Sequence, residues 1–176
     1  MRFDLFEKLT LDQAQELLRQ FKEDGAANID GVRAEAAQCG VIADYRMESL
    51  PNFLRWAFLQ MQILPTNPDT SESGWIQSTP ENETGSFEFD EDSKNLICFV
   101  ACYVGECFVR NYPQLRWATG NPEFAKCNMP VVVGFQHGKE LAPMLMLENV
   151  FGRVIEMPDY IGDIAVAIDT WRSYLE

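Results

Sequence analysis

The stretch that decides the fold is residues 93–119, which read SKNLICFVACYVGECFVRNYPQLRWAT. In residues 93–111 the apolar side chains recur every three or four positions, which is the spacing of one wide helix face. Acidic residues precede this segment, where carboxylates stabilise the positive end of a helix dipole, and Pro113 ends it. Beyond the proline, residues 115–119 alternate between apolar and polar side chains. We therefore predict a long helix followed by a half-buried strand that carries Trp117.

The rest of the C-terminal half extends this pattern. Residues 130–135 read PVVVGF, a β-branched run that predicts an inner strand. A turn containing His137 follows, residues 141–155 show helical spacing, and a last helix is expected to begin with Asp163 as its cap. Two strands between helices predict a small antiparallel sheet.

The N-terminal part is predicted to be helical. Thr10 and Gln13 fit a capping box, which predicts a helix from residue 11 to about Glu23, ended by Asp24-Gly25. A second, shorter helix is expected over residues 30–38. A third, capped by Ser49, is apolar nearly all round as far as Leu64 and is expected to lie in the core.

These elements define an α+β protein with a small antiparallel sheet packed against several helices. With 176 residues, of which 47% are hydrophobic, the chain is of the size of one domain. We divide this single domain, residues 1–176, into an N-terminal helical part (about 1–64), an acidic loop region (about 65–92) and a helix–sheet–helix core (about 93–176). Oligomeric state and strand order stay open.

The acidic loop region is the first candidate functional segment. Residues 65–92 contain eight acidic residues and no basic one, with proline and glycine punctuation and short strands expected near 75–78 and 87–89. We interpret it as an arm that contacts a basic partner, with an aromatic anchor among carboxylates. A solvated loop is the alternative. The predicted partner-binding residues are Asp69, Glu72, Trp75, Glu81, Glu83, Glu88, Asp90 and Asp92.

The overall charge supports the same interpretation. The chain has 27 acidic against 14 basic residues, a formal net charge of −13, and a pI near 4.4. Such a field repels nucleic acid and anionic membrane surfaces and favours a basic protein partner. The alternative explanation is that the charge serves solubility alone.

We expect a cytoplasmic location. The five cysteines are odd in number and three of them share one apolar segment, unlike a secreted disulfide framework. Charged residues interrupt the first positions of the chain, so we expect no signal peptide, and no apolar run has the length of a membrane span.

No pattern predicts a catalytic residue, a metal or a cofactor. His137 is the only histidine and it falls in a predicted turn without a partner nucleophile. Cys98, Cys102 and Cys107 lie among apolar helix residues, as core thiols do, rather than in a zinc-type pairing. The chain also lacks the glycine-rich loops that bind phosphate.

One segment carries a family resemblance. The helix sequence Tyr103-Val104-Gly105-Glu106 with Arg110 one turn later, Trp117 opening the next strand and Pro130 before the second resembles uncharacterised small acidic bacterial proteins. Leu141-Ala142-Pro143, which leads the following helix, fits the same pattern. The resemblance covers about residues 100–150, and such proteins are similar to the immunity partners of bacterial toxins. It implies an α+β fold, a close approach of the Trp117 strand to Gly105 and a local ion pair between Glu106 and Arg110.

Two functional hypotheses follow. In the first, the chain is a non-enzymatic acidic protein of the immunity type that occludes a basic toxin or enzyme. In the second, a small-molecule-binding domain or enzyme, a pocket between the long helix and the sheet is lined by Tyr103, Glu106, Arg110 and Trp117. A deep pocket would favour the second hypothesis and a flat acidic face the first.

Overall fold

We describe the fold from a computed structural model, in which the described residues are Phe6, 8–65, 87–121 and 128–175. The helices in this part of the chain are α1 (Leu11–Gln38), α2 (Leu50–Leu59), α3 (Glu91–Asn111), α4 (Pro143–Glu156) and α5 (Asp163–Arg172). The strands are β1 (Ile63–Pro65), β2 (Phe87–Phe89), β3 (Arg116–Thr119) and β4 (Pro130–Val133). The chain thus has the predicted α+β architecture.

The strands form two separate two-stranded antiparallel sheets rather than one sheet. β1 pairs with β2, with Leu64 opposite Glu88. β3 pairs with β4, with Trp117 opposite Val132, and an isolated bridge from Val132 to Leu141 extends this pairing. The predicted strands at 87–89, 115–119 and 130–135 are therefore present, the last two slightly shortened.

α3 is the centre of the fold. Residues along it, from Ile97 and Val100 to Tyr103 and Phe108, are fully buried. α1, α2 and α4 all pack against it, and β3 and β4 reach its C-terminal half. A helix covered on several sides needs the wide apolar face that its sequence shows.

The prediction that α1 ends at Asp24-Gly25 is wrong, because one helix runs through both residues and joins the two segments predicted there. Gly25 is buried against α3, and a Cβ atom at this position would overlap the sulfur of Cys102. This glycine lets two helix backbones approach closely, which outweighs its cost of about 1 kcal/mol in helix propensity. The capping box is confirmed, since the Gln13 N–H donates to Thr10 Oγ1 over 3.3 Å and the Thr10 N–H donates to Gln13 Oε1 over 2.9 Å.

The helix predicted to continue to Leu64 is shorter, because α2 ends at Leu59 and residues 63–65 form β1 instead. Pairing with β2 satisfies the backbone groups of this apolar segment as a strand, and periodicity alone does not reveal that partner. Ser49 precedes α2 as expected but does not cap it. Its hydroxyl donates to Asp44 Oδ1 at 2.7 Å and lies 2.9 Å from the Arg46 carbonyl, which can share the same proton.

α3 begins two residues earlier than predicted, at Glu91. Asp90 is its N-cap and accepts a hydrogen bond from the Ser93 N–H at 2.8 Å. That bond satisfies one of the free N–H groups of the first turn. α5 likewise begins at Asp163 itself, with Gly162 in the cap position.

Three polar side chains are buried in the described part of the core: Ser93, Asn128 and Glu148. Asn128 donates to the carbonyls of Phe6 and Leu9, both at 3.0 Å, and so fastens the N-terminal segment. Glu148 on α4 differs, because its Oε1 has no hydrogen-bond partner among the described residues. Burial raises the pKa of Glu148 to about 8.

None of the helices in the described ranges combines the length and the apolar character that crossing a bilayer requires.

Candidate functional site

Four residues predicted to form a pocket lie close together around Glu106. Glu106 Oε1 accepts a hydrogen bond from the indole N–H of Trp117 at 2.9 Å, and Glu106 Oε2 accepts from Arg110 Nε at 3.1 Å. The expected local ion pair is therefore present. Tyr103 lies one turn before Glu106 on α3 and is buried.

Gly105 makes this arrangement sterically feasible. A Cβ atom at Gly105 would overlap the ring of Trp117, so the ring lies directly on the backbone of α3. The edge of the same ring contacts Phe21 of α1, with the ring centroids 5.7 Å apart. The expected close approach of the Trp117 strand is thus confirmed, and the indole N–H is held towards Glu106.

A strained tyrosine completes the cluster, and sequence reasoning missed it. Tyr45, in the loop between α1 and α2, has φ of +65°, a conformation that is uncommon for a bulky residue. Its N–H donates to the Tyr103 hydroxyl at 2.8 Å, and its carbonyl accepts from Asn111 Nδ2 at 2.8 Å. These bonds offset the strain, which is of the order of 1 kcal/mol or more.

The ring of Tyr45 is a platform for two guanidinium groups. Arg110 Cζ lies 3.7 Å from the ring centroid and Arg33 Cζ lies 4.7 Å from it. Both distances are within the range of cation–π attraction. Arg33 Nε also donates to the Ala43 carbonyl at 2.6 Å, so this side chain of α1 contacts the loop at two points.

A cavity of about 270 Å³ opens between α1 and α3 at this cluster, and we name it the α1–α3 cavity. α1 contributes Lys22, Gly25, Ala26, Ile29 and Asp30, α3 contributes Cys102, Tyr103, Glu106 and Arg110, and the loop contributes Tyr45. Three of the four predicted pocket residues therefore line one cavity, and Trp117 contacts Glu106 from outside the lining. The predicted position between the long helix and the sheet is wrong, because α1 rather than a strand forms the opposite wall. No sequence signal places Lys22 or Tyr45 here, because both reach the cavity through tertiary packing.

The thiols near the cavity are held as neutral groups. Burial raises the pKa of Cys102 to about 12, and the negative charge of Glu106 acts in the same direction. Burial also raises the pKa of Cys107 to about 12, and that of the Tyr103 hydroxyl above its usual range. A thiol must be deprotonated to be a nucleophile, so these side chains act here as packing groups.

The predicted acidic site is only partly described. Asp69, Glu72, Trp75, Glu81 and Glu83 lie outside the described residues. Of the others, Glu88 pairs with Lys94 at 2.8 Å and Asp90 caps α3, so both have structural partners inside the fold. Asp92 is exposed in the first turn of α3.

The remaining candidates of the sequence analysis have ordinary surroundings. His137 lies exposed in a short 3₁₀ turn with φ of +56°. Within the described ranges, no three His, Cys, Asp or Glu side chains are grouped closely enough to hold a metal ion.

Comparisons with protein-family models, with curated proteins and with solved structures found no match to this chain.

Proposed function

We propose that this chain is a non-enzymatic acidic binding protein that occludes a basic partner in the cytoplasm, as an immunity-type inhibitor does to a toxin. The observation that carries the proposal is how the charges are distributed. The chain has a formal net charge of −13. Most basic side chains of the described part are already paired with a carboxylate of the same chain: Arg19, Arg33, Arg46, Lys94, Arg110, Arg153 and Arg172.

The excess carboxylates face solvent. Exposed acidic residues without an ion pair to any described residue include Asp12, Asp24, Glu35, Glu48, Asp92, Glu156 and Asp159. Charges that are not neutralised internally contribute to the long-range field, which accelerates encounter with a partner of opposite sign. Surface pairs such as Arg19 with Glu16 add little stability themselves. They neutralise basic side chains, so the unpaired carboxylates determine the sign of the surface charge.

We assign the contact surface to residues 69–92, on the strength of the sequence. This segment contains no basic residue of its own, and it contributes carboxylates and Trp75 as a candidate anchor. Its C-terminal end leads into α3, where Asp92 is exposed. Glu88 and Asp90 have roles in the fold, so we exclude them from the residues to be varied.

An enzyme built on Glu106 is less well supported. Both oxygens of this carboxylate already accept hydrogen bonds, one from Trp117 and one from Arg110. These two bonds use half of the acceptor capacity of the carboxylate and fix its orientation towards Trp117 and Arg110, which is a structural role. General acid–base catalysis also needs a second catalytic group, and no sequence pattern predicts one.

The test is capture of the partner by charge variants of the whole chain. The tagged protein is incubated with a lysate of its source cells at low salt, and captured proteins are identified by mass spectrometry. The site variant carries Glu81→Gln, Glu83→Gln and Asp92→Asn. The control variant carries Asp12→Asn, Glu35→Gln and Asp159→Asn, which remove the same number of charges elsewhere.

We expect the native chain and the control to capture one protein of positive net charge, and the site variant to capture much less of it. Addition of salt to about 0.5 M should release the partner, because screening shortens the range of the field to a few ångströms. Equal capture by both variants would contradict the assigned surface. A captured partner of negative net charge would contradict the proposed function.

A further inference from the structure

We infer that the α1–α3 cavity is a binding site for a small organic carboxylate, whose charged end lies between Lys22 and Arg110. This inference does not depend on the proposed function, because it concerns a different surface and a different ligand class. It rests on which hydrogen-bonding groups of the cavity are already used and which are still available.

The unused groups are mainly donors. Arg110 Nε donates a hydrogen bond to Glu106. The two terminal nitrogens of Arg110 have no hydrogen-bond partner among the described residues. The Lys22 ammonium likewise makes no ion pair with a described carboxylate, and its side chain is exposed. A guanidinium and an ammonium that line the same cavity are the groups proteins use to bind a carboxylate.

The acceptors, by contrast, are engaged. Asp30 pairs with Arg33, and Glu106 accepts from Trp117 and Arg110. A cationic ligand would compete with these internal partners and would be repelled by Lys22. The formal charges of the four charged residues that line the cavity, Lys22, Asp30, Glu106 and Arg110, sum to zero. Arg33 pairs with Asp30 from outside the lining and adds one positive charge beside the cavity.

The negative field of the rest of the molecule opposes an anion, but it acts over longer distances. At about 0.15 M ionic strength, charges more than about 8 Å apart in solvent are largely screened. The partly enclosed cavity therefore responds chiefly to the charges that line it. Glu106 is only 25% exposed, whereas Arg110 is 51% exposed, so the cluster is shielded from solvent on the side of Glu106.

The apolar walls set the size of the ligand. Ala26, Ile29 and the Tyr45 ring line the cavity beside the charged groups. The volume of 270 Å³ equals the space of about nine water molecules in the liquid, so the ligand has about nine non-hydrogen atoms. A carboxylate on a short aliphatic or aromatic body meets both requirements.

The experiment uses benzoate as the probe, because it is of about this size, with benzamide as its neutral analogue and benzylamine as its cationic one. The full chain, labelled with ¹⁵N, is titrated at about 0.15 M salt and pH 7. The indole N–H signal of Trp117 reports on the site, because its hydrogen bond to Glu106 lies at the cavity wall. The indole of Trp171 on α5 is an internal control.

Two pairs of variants locate the binding. Lys22→Gln removes a positive charge from the cavity lining and is matched by Lys8→Gln, which removes a charge outside the cavity lining. Ala26→Phe fills the cavity from the exposed face of α1, and Ala27→Phe places the same ring on its exposed neighbour. The native Trp117 signal in each free variant verifies that the fold is intact.

We expect benzoate to shift the Trp117 signal to saturation and to bind at least about tenfold more tightly than benzamide. Lys22→Gln should weaken benzoate binding about tenfold and Ala26→Phe should abolish it, whereas the two controls leave it unchanged. Tighter binding of benzylamine than of benzoate would overturn the inference. So would the absence of a saturable shift with benzoate, or equal binding to Lys22→Gln and Lys8→Gln.

Discussion

Two glycines show at the scale of single residues how close contacts are built into this chain. Gly25 and Gly105 both lie inside helices, and a side chain at either position would overlap a neighbour across an interface. Gly31 lies in the same helix as Gly25, but the space around it is open. Replacement of a helical glycine by alanine is therefore expected to lower or to raise the free energy of unfolding according to what lies beside the glycine.

Replacement of these glycines by alanine should separate the two effects. Gly105→Ala should lower the free energy of unfolding by about 1–3 kcal/mol, because Trp117 must move off the helix. Gly31→Ala should raise it by up to about 1 kcal/mol through helix propensity. Urea unfolding followed by circular dichroism measures both, and a stabilising Gly105→Ala would contradict the close packing.

Glu148 makes the free energy of unfolding fall as the pH rises, which is opposite to the usual effect of a carboxyl group. Its pKa is about 8 in the folded chain, whereas its ordinary value is 4.5. The folded state thus binds this proton more tightly than the unfolded chain does. The contribution of the bound proton to the free energy of unfolding is complete below about pH 4.5 and is lost as the pH rises through 8. Glu148→Gln should be more stable than the native chain by roughly 2–4 kcal/mol at pH 9, with a much smaller difference at pH 5.

Thermal unfolding at both pH values measures this difference. Glu156→Gln, on the exposed end of the same helix, is the control and should change stability by less than about 0.5 kcal/mol at either pH. If Glu148→Gln and Glu156→Gln behave alike at pH 9, the carboxyl of Glu148 is not buried as described.

At the scale of elements, local signals predicted the starts of α1 and α3 to within two residues. The capping box of Thr10 and Gln13 starts α1 as predicted, and the acidic residues before α3 include its N-cap, Asp90. Thr10→Ala should therefore lower the free energy of unfolding by about 1 kcal/mol. Thr170→Ala, at an exposed position in the last turn of α5, is a matched control with an expected change below about 0.5 kcal/mol. Equal losses in chemical denaturation would show that the cap contributes nothing specific.

Element ends were predicted less well, because they depend on distant partners. Gly25 has the sequence of a helix stop, but Cys102 of α3 makes it a packing position. Residues 63–65 continue an apolar helical pattern, but they form a strand because β2 is available to pair with them. Both errors arise where a contact far apart in sequence overrides a local preference.

At the scale of the whole molecule, the sequence predicted the α+β class and three of the ten residues that line the cavity: Tyr103, Glu106 and Arg110. The cavity residues on α3 could be predicted because helix periodicity and Gly105 place Tyr103, Glu106, Arg110 and the Trp117 strand together. Those on α1 and in the loop could not, because their approach depends on the path of one long helix that was predicted as two. Trp75 and its neighbours up to Glu83 lie outside the described residues, and their role stays a prediction.

We propose that the negative electrostatic field of the molecule, and not a reactive side chain, carries out its function. The most direct measurement is the association rate constant with the captured basic partner, determined by stopped-flow fluorescence at increasing ionic strength. We expect this rate to fall about tenfold or more between 0.05 and 0.5 M salt while the dissociation rate changes little. An association rate that is independent of salt would contradict the claim.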